Sequence, residues 1–256
     1  MEKWKAKLDI FLAGFEHIND AVGVLVCGSY VTGNPTRHSD LDVHIVLDDH
    51  VLYRERGNKV IDGLLIEYFA NPPGQILRYF EDDFGDGRLM AQTQFATGEI
   101  ILDKNGDVAV LKGKALAMID AFYEGGKMDP SMSDLTKYGL WDMLDDLQDA
   151  YENDRLDFDF LYFNSLNKMI ATYMQCVNRP YNLKTVLGNI SSDVIRGKYL
   201  LRELPDSTIS GLIAKSITTA SRKEKLDLYE KLTNTILDNF GGFCVDGFKF
   251  KSDVAV

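Results

Sequence analysis

The hydrophobic period of this sequence changes once, near Val108, and no other feature constrains the fold as strongly. Before that point, the short runs 22–27, 40–47, 64–69 and 100–102 are typical of strands, and helical stretches lie among them. After it, apolar residues recur only at helical spacing. We therefore predict an α+β fold, in which a small mixed β-sheet with helices is followed by an antiparallel helical bundle.

The chain length supports two domains. A single core stops growing at roughly 250 residues, and a typical domain has about 100 to 150; this chain has 256. We place a first domain at residues 1–120 and a helical domain at 121–256, with the break Gly125-Gly126 in the boundary region. A helix over residues 4–18, ended by Asn19-Asp20, should cover one face of the sheet.

Composition excludes several classes of protein. The formal net charge of −11 and the pI of about 4.8 argue against nucleic-acid binding, because such proteins bind through Lys and Arg. No apolar run approaches the ~18 residues that cross a bilayer, so we expect no membrane association. Cys27, Cys176 and Cys244 lie far apart with no Cys-x-x-Cys pair, and we expect them to be reduced and buried. A cytoplasmic location is therefore predicted.

The strongest chemical signal is a pair of aspartates at the start of a strand. Gly28-Ser29 is followed after ten residues by Asp40 and Asp42, and Glu67 lies inside a later apolar run. Alternate residues of a strand point to one face, so Asp40 and Asp42 present their carboxylates together. Adjacent like charges repel unless a cation lies between them, and hard oxygen ligands suit magnesium. A third carboxylate from a neighbouring strand completes a site for two magnesium ions roughly 3.5 to 4 Å apart.

The end of the preceding strand supplies the other half of this site. Gly28 lets the backbone approach a phosphate closely, and the following N–H groups with the Ser29 hydroxyl can hold its oxygens. Ser39 and Arg37 flank the aspartates and are candidates for contact with a triphosphate, with solvated loop positions as the alternative. His44 shares the face of the aspartates, but imidazole is a poor magnesium ligand, so we expect it to pack.

The combination resembles the nucleotidyltransferase superfamily, which includes the DNA polymerase beta type and small antibiotic-modifying enzymes. The residues that carry the resemblance are Gly28-Ser29-Tyr30, Ser39-Asp40-Leu41-Asp42-Val43 and Leu65-Ile66-Glu67-Tyr68-Phe69. It implies that Asp40 and Asp42 bind both magnesium ions, and that Glu67 either binds the catalytic ion or acts as the base. The helical half is similar in layout to aminoglycoside and lincosamide nucleotidyltransferases.

A second feature is an acidic stretch over residues 129–159. It carries ten acids against two basic residues, a net charge of −8. The central acids share one side of a predicted helix, opposite its apolar side. Asp145, Asp146 and Asp149 are therefore candidates for binding a cationic acceptor, with a solvated helix face as the alternative.

The leading hypothesis is magnesium-dependent transfer of a nucleoside monophosphate from a nucleoside triphosphate, with ATP preferred, to a hydroxyl of a small acceptor. Pyrophosphate is the other product. An aminoglycoside or lincosamide acceptor would make the chain an antibiotic-resistance enzyme. Two alternatives stay open: an antitoxin-type enzyme that modifies a protein, and a non-catalytic nucleotide-binding module.

Overall fold

A computed structural model describes residues 3–125 and 132–252. The chain divides into two compact units. The first comprises Met1–Gly125 with Gly197–Leu200, and the second comprises Gly126–Arg196 with Leu201–Val256. Of the predicted break, Gly126 lies outside the described residues, as does Asp129 of the acidic stretch. The short segment Gly197–Leu200 belongs to the first unit, although its sequence lies within the predicted bundle.

The first unit is built on a five-stranded mixed sheet with strand order β3-β4-β2-β1-β5. The strands are β1 (Ala21–Cys27), β2 (Leu41–Leu47), β3 (Glu55–Ile61), β4 (Leu64–Asn71) and β5 (Glu99–Asp103). Strands β2 and β4 run parallel, and every other neighbouring pair is antiparallel. The mixed sheet and the helical second half confirm the predicted α+β class.

Helices cover both faces of this sheet. The helices of the first unit are α1 (Lys3–Ala13), α2 (Ser29–Thr32), α3 (Pro73–Gly85), α4 (Met90–Thr97) and α5 (Asp107–Gly125). One hydrophobic cluster joins Trp4, Leu8 and Phe11 of α1 to one face of the sheet. A second cluster packs residues of α3, α4 and α5, such as Phe80 and Phe95, on the other face. Because strand residues alternate between faces, this packing fixes which side chains reach the α3–α5 face.

The first helix is shorter than predicted. It ends at Ala13, and a single 3₁₀ turn covers Ile18–Asp20. Glycine disfavours a helix interior by about 1 kcal/mol relative to alanine, and Gly14 follows the last helical residue. The N–H groups of Gly14 and Phe15 donate to carbonyls three residues earlier, which tightens the final turn. Phe15 is still buried in the sheet core, so the apolar spacing continued beyond the helix itself.

Strand β3 was not predicted, because its sequence has little apolar alternation. It is an edge strand, and most of its residues are exposed or half-exposed. A two-residue turn of Asp62 and Gly63, with φ values of 46° and 78°, joins it to β4. Positive φ at both positions is the type I′ geometry that suits a hairpin. The turn sets Ile61 opposite Leu64 and fixes the register of the two strands.

The second unit is helical. Its helices are α6 (Asp134–Glu152), α7 (Phe158–Cys176), α8 (Val186–Ser191), α9 (Asp193–Lys198, which extends into the first unit), α10 (Ser207–Thr218) and α11 (Arg222–Asn239). Side-chain oxygens of Ser133, Asp206 and Ser221 cap the N-termini of α6, α10 and α11. Helices α6, α7, α8, α10 and α11 share one core, in which Tyr162 and Tyr229 are fully buried.

Two features bear on the expected environment. None of the helices in the described part of the chain has the length and apolarity that a bilayer crossing requires. All three cysteines are free. Cys27 is buried and Cys176 is half-buried, but Cys244 is exposed, so the expectation that all three are buried was wrong for Cys244.

Candidate active site

The sheet register brings the predicted site residues to one edge. Strand β1 ends at Cys27, which pairs with Asp42 of the antiparallel β2. Asp42 in turn pairs with Glu67 of the parallel β4. Gly28 follows β1 directly, and Asp40 directly precedes β2. Strand pairing therefore brings Gly28, Asp42 and Glu67 to one edge, and Asp40 adjoins them at the end of the loop before β2.

The three acids form one cluster. Asp40, Asp42 and Glu67 each offer one oxygen such that these oxygens lie within 4.8 Å of one another, and all three residues are half-buried. Burial, followed by the charges of Asp40 and Glu67, raises the pKa of Asp42 to about 6. A nearby cation would favour the ionised form of a carboxyl that is crowded by two others.

The donor set fits magnesium. Half-buried carboxylate oxygens from two adjacent strands are hard ligands, and magnesium sites commonly combine one or two carboxylates with substrate phosphates. Asp40, Asp42 and Glu67 would hold such an ion. Bound there, magnesium would stabilise charge on the oxygens of a reacting phosphate.

Gly28 is required by its contact with Asp42. A Cβ atom at this position would collide with Oδ2 of Asp42, and the φ of 75° is one that side chains rarely adopt. The backbone after β1 thus approaches the Asp42 carboxylate at a distance that only a residue without a side chain allows. Ser29 follows as the first residue of α2 and is half-exposed. Ser29 is thus the residue next to this close approach in the chain.

The loop before β2 holds the two flanking candidates. Ser39 accepts a hydrogen bond from the backbone N–H of Thr36 through Oγ, at 2.8 Å, so its hydroxyl shapes the loop. Arg37 is exposed, and within the described residues no hydrogen bond or ion pair of its side chain is found. The structure therefore gives Ser39 a local role and leaves the Arg37 guanidinium in solvent.

His44 packs, as expected. It is 8% exposed, its ring stacks on Phe69 at 5.3 Å, and its Nε2 lies 3.2 Å from Oε1 of Gln94. Burial lowers the pKa of His44 to about 4, against a smaller opposing effect of Gln94. The neutral His44 ring thus packs against Phe69 and Phe95, on the same face of the sheet as Asp42.

Sequence reasoning missed Arg56, which contacts the third acid. Its Nη2 and Nε both donate to Oε1 of Glu67, at 2.6 and 3.2 Å. The guanidinium lies over the Phe69 ring, 4.8 Å from its centre. The signal that could have found it is the Asp62-Gly63 dipeptide, a strong hairpin signal, because the resulting register places Arg56 beside Glu67.

A cavity of about 580 Å³ adjoins Arg56 on the same face of the sheet. Its lining includes the aromatic residues Phe69, Tyr79, Phe80 and Phe95 and the guanidinium groups of Arg54 and Arg56. Nη1 of Arg54 donates to the Tyr79 hydroxyl at 2.6 Å. The size is that of small-molecule sites, which are mostly apolar with a few polar groups.

The remaining candidates lie in the other unit. Asp145, Asp146 and Asp149 are exposed on α6, opposite the buried Leu144 and Leu147. Asp149 lies 3.8 Å from Arg155. Their exposure agrees with the sequence pattern of one acidic and one apolar side.

Comparison with known protein families matches residues 8–84 to the nucleotidyltransferase domain. The matched segment contains the turn at Gly28 and all three clustered acids. The match supports the nucleotidyltransferase superfamily for this segment, and general transfer of a nucleoside monophosphate as the chemistry of such a domain.

Among curated proteins, no sequence matches the chain. A similar solved structure is that of a nucleotidyltransferase-like protein from Exiguobacterium sibiricum 255-15. It has 11% sequence identity and a TM-score of 0.42, and the alignment covers 93% of this chain and 75% of that one.

Proposed function

We propose that this protein is a magnesium-dependent nucleotidyltransferase that moves a nucleoside monophosphate from a nucleoside triphosphate to a hydroxyl of a small acceptor. The observation that carries the proposal is the convergence of Asp40, Asp42 and Glu67 within 4.8 Å, inside the segment that matches the family. The close approach of Gly28 to Asp42 supports a phosphate-binding turn next to the acids.

Each group has a role in this proposal. Asp40 and Asp42 hold two magnesium ions, and Glu67 binds one of them or acts as the base. Ser29 and its neighbouring N–H groups hold the triphosphate, and Arg37 in solvent is free to reach it; Ser39 orders the loop between them. The acceptor oxygen forms a bond to the α-phosphorus. The bond between the α-phosphorus and the oxygen that joins it to the β-phosphorus breaks, and pyrophosphate leaves with the electron pair. The hydroxyl proton passes to Glu67 or to water.

The acceptor is proposed to be a small molecule, such as an aminoglycoside or lincosamide antibiotic. The cavity of about 580 Å³ beside Arg56 supports an acceptor of this size. The exposed carboxylates of Asp145, Asp146 and Asp149 support a cationic acceptor. ATP is the proposed nucleotide. The unpaired cysteines support a cytoplasmic location.

A label-transfer assay tests the proposal. The protein is incubated with Mg²⁺ and either α-³²P- or γ-³²P-labelled ATP or GTP, in the presence of an antibiotic panel or a cell extract. We expect the α label to appear on a small acceptor and the γ label to appear only in pyrophosphate. The matched control is Asp48→Asn, an acid just past the other end of β2. Asp42→Asn should lose the transfer and Asp48→Asn should keep it.

The other outcomes separate the alternatives. An α label on a protein of the extract would favour the antitoxin-type enzyme. Nucleotide binding with no transfer to any acceptor would favour the non-catalytic module. Full transfer by Asp42→Asn would contradict the proposed role of the carboxylates.

A further inference from the structure

We propose that Arg56 is a positioning residue. It holds the Glu67 carboxylate in place and competes with the metal for the negative charge of that carboxylate. The inference rests on the magnesium-dependent transfer proposed above. It concerns a residue outside the Gly-Ser turn and the acidic cluster, on the edge strand β3.

The geometry of the pair fixes one oxygen of Glu67 and spares the other. Both N–H donors of Arg56 reach Oε1, at 2.6 and 3.2 Å. Strand pairing places Arg56 opposite Phe69 and Asn58 opposite Glu67, so Arg56 and Glu67 are diagonal neighbours on one face. The Phe69 ring, 4.8 Å from the guanidinium, supports the arginine from beneath. Oε2 is thereby presented in a defined direction, with its acceptor capacity intact.

The Arg56–Glu67 ion pair changes the electrostatic potential at Glu67 more than it changes the stability of the fold. The Arg56 side chain is 69% exposed, and exposed ion pairs contribute little to stability. Glu67 is only 20% exposed, and it shares its site with two further carboxylates. One positive charge beside three negative ones lowers the local negative potential that attracts a divalent cation.

Opposite changes in metal affinity and in turnover follow from this arrangement. Without the guanidinium, the cluster attracts a divalent ion more strongly. Glu67 also gains the freedom to rotate and to offer both oxygens to the ion, and the alignment needed for transfer is lost. A residue with a merely structural role would lower both quantities when removed.

Manganese binding to the protein alone tests the charge effect without any acceptor. Electron paramagnetic resonance titration with Mn²⁺ should show binding about 3- to 10-fold tighter in Arg56→Gln than in the unmodified protein. Arg56→Lys keeps the charge and should restore the original affinity. The matched control is Lys59→Gln, which removes one positive charge from the same strand on its opposite face. It should leave the affinity unchanged.

Turnover in the label-transfer assay tests the positioning effect. We expect kcat to fall about 10-fold in Arg56→Gln and in Arg56→Lys, because a lysine cannot donate two hydrogen bonds in a fixed plane. Equal or weaker Mn²⁺ binding in Arg56→Gln, or unchanged kcat in both variants, would overturn this inference and leave the proposed function standing. Absence of Mn²⁺ binding in the unmodified protein would instead overturn the proposed function and this inference with it.

Discussion

At the scale of single residues, the ionised Asp42 carboxylate lowers the free energy of unfolding. Its carboxyl is half-buried beside Asp40 and Glu67, and its pKa is raised to about 6. Below pH 4 it is protonated in the folded and the unfolded chain alike. As pH rises through 6, the folded chain must also ionise it, so the full penalty is present above pH 6.

Asp42→Asn should therefore stabilise the metal-free protein at pH 8 and not at pH 3.5. We expect a gain in the free energy of unfolding of about 1 to 2 kcal/mol at pH 8, after allowance for solvent screening. Urea denaturation in EDTA at both pH values measures it. A difference of the same size at both pH values would show that the carboxylate charge is not its cause.

At the scale of elements, the β3–β4 hairpin shows what the sequence predicted and what it did not. Strands β1, β2, β4 and β5 follow apolar runs and were predicted, and so were the acids on β2 and β4. Strand β3 is exposed, so its sequence has no alternation of buried apolar residues by which it could be predicted. Its register depends on the turn at Asp62 and Gly63, and Arg56 became a neighbour of Glu67 only through that register.

Helix α6 provides a prediction at the same scale. If its acidic side binds a cationic acceptor, Asp145→Asn, Asp146→Asn and Asp149→Asn together should raise the acceptor KM and flatten its dependence on salt. The attraction is screened because the Debye length falls from about 10 Å at 0.1 M salt to about 3 Å at 1 M. Nucleotide binding should not change, and kinetics at several salt concentrations measure both effects.

A second helix supplies the control. Asp227, Glu230 and Asp238 are exposed on α11, and neutralising them removes the same charge. An equal change in KM from both triple variants would show an effect of net charge alone. No change from the α6 triple would leave its acids as a solvated helix face.

At the scale of the whole molecule, the two units differ in how much the sequence reveals. The segment 8–84 carries three acids in or beside apolar strands, so their clustering was predictable from the alternation of strand residues and from the family resemblance. The helical unit packs generic apolar faces, such as Leu144 and Ile213, and these specify a bundle without specifying a ligand. The acceptor therefore has to be found by experiment.

Calorimetric titration with the uncleavable analogue α,β-methylene-ATP tests most directly whether the clustered acids hold a nucleoside triphosphate through magnesium. We expect binding with Mg²⁺ and at least 100-fold weaker binding in EDTA, a difference of about 2.7 kcal/mol or more. Asp40→Asn should lose the magnesium-dependent binding while its circular dichroism spectrum stays unchanged. Equal affinity in Mg²⁺ and EDTA, or unchanged binding by Asp40→Asn, would contradict the account.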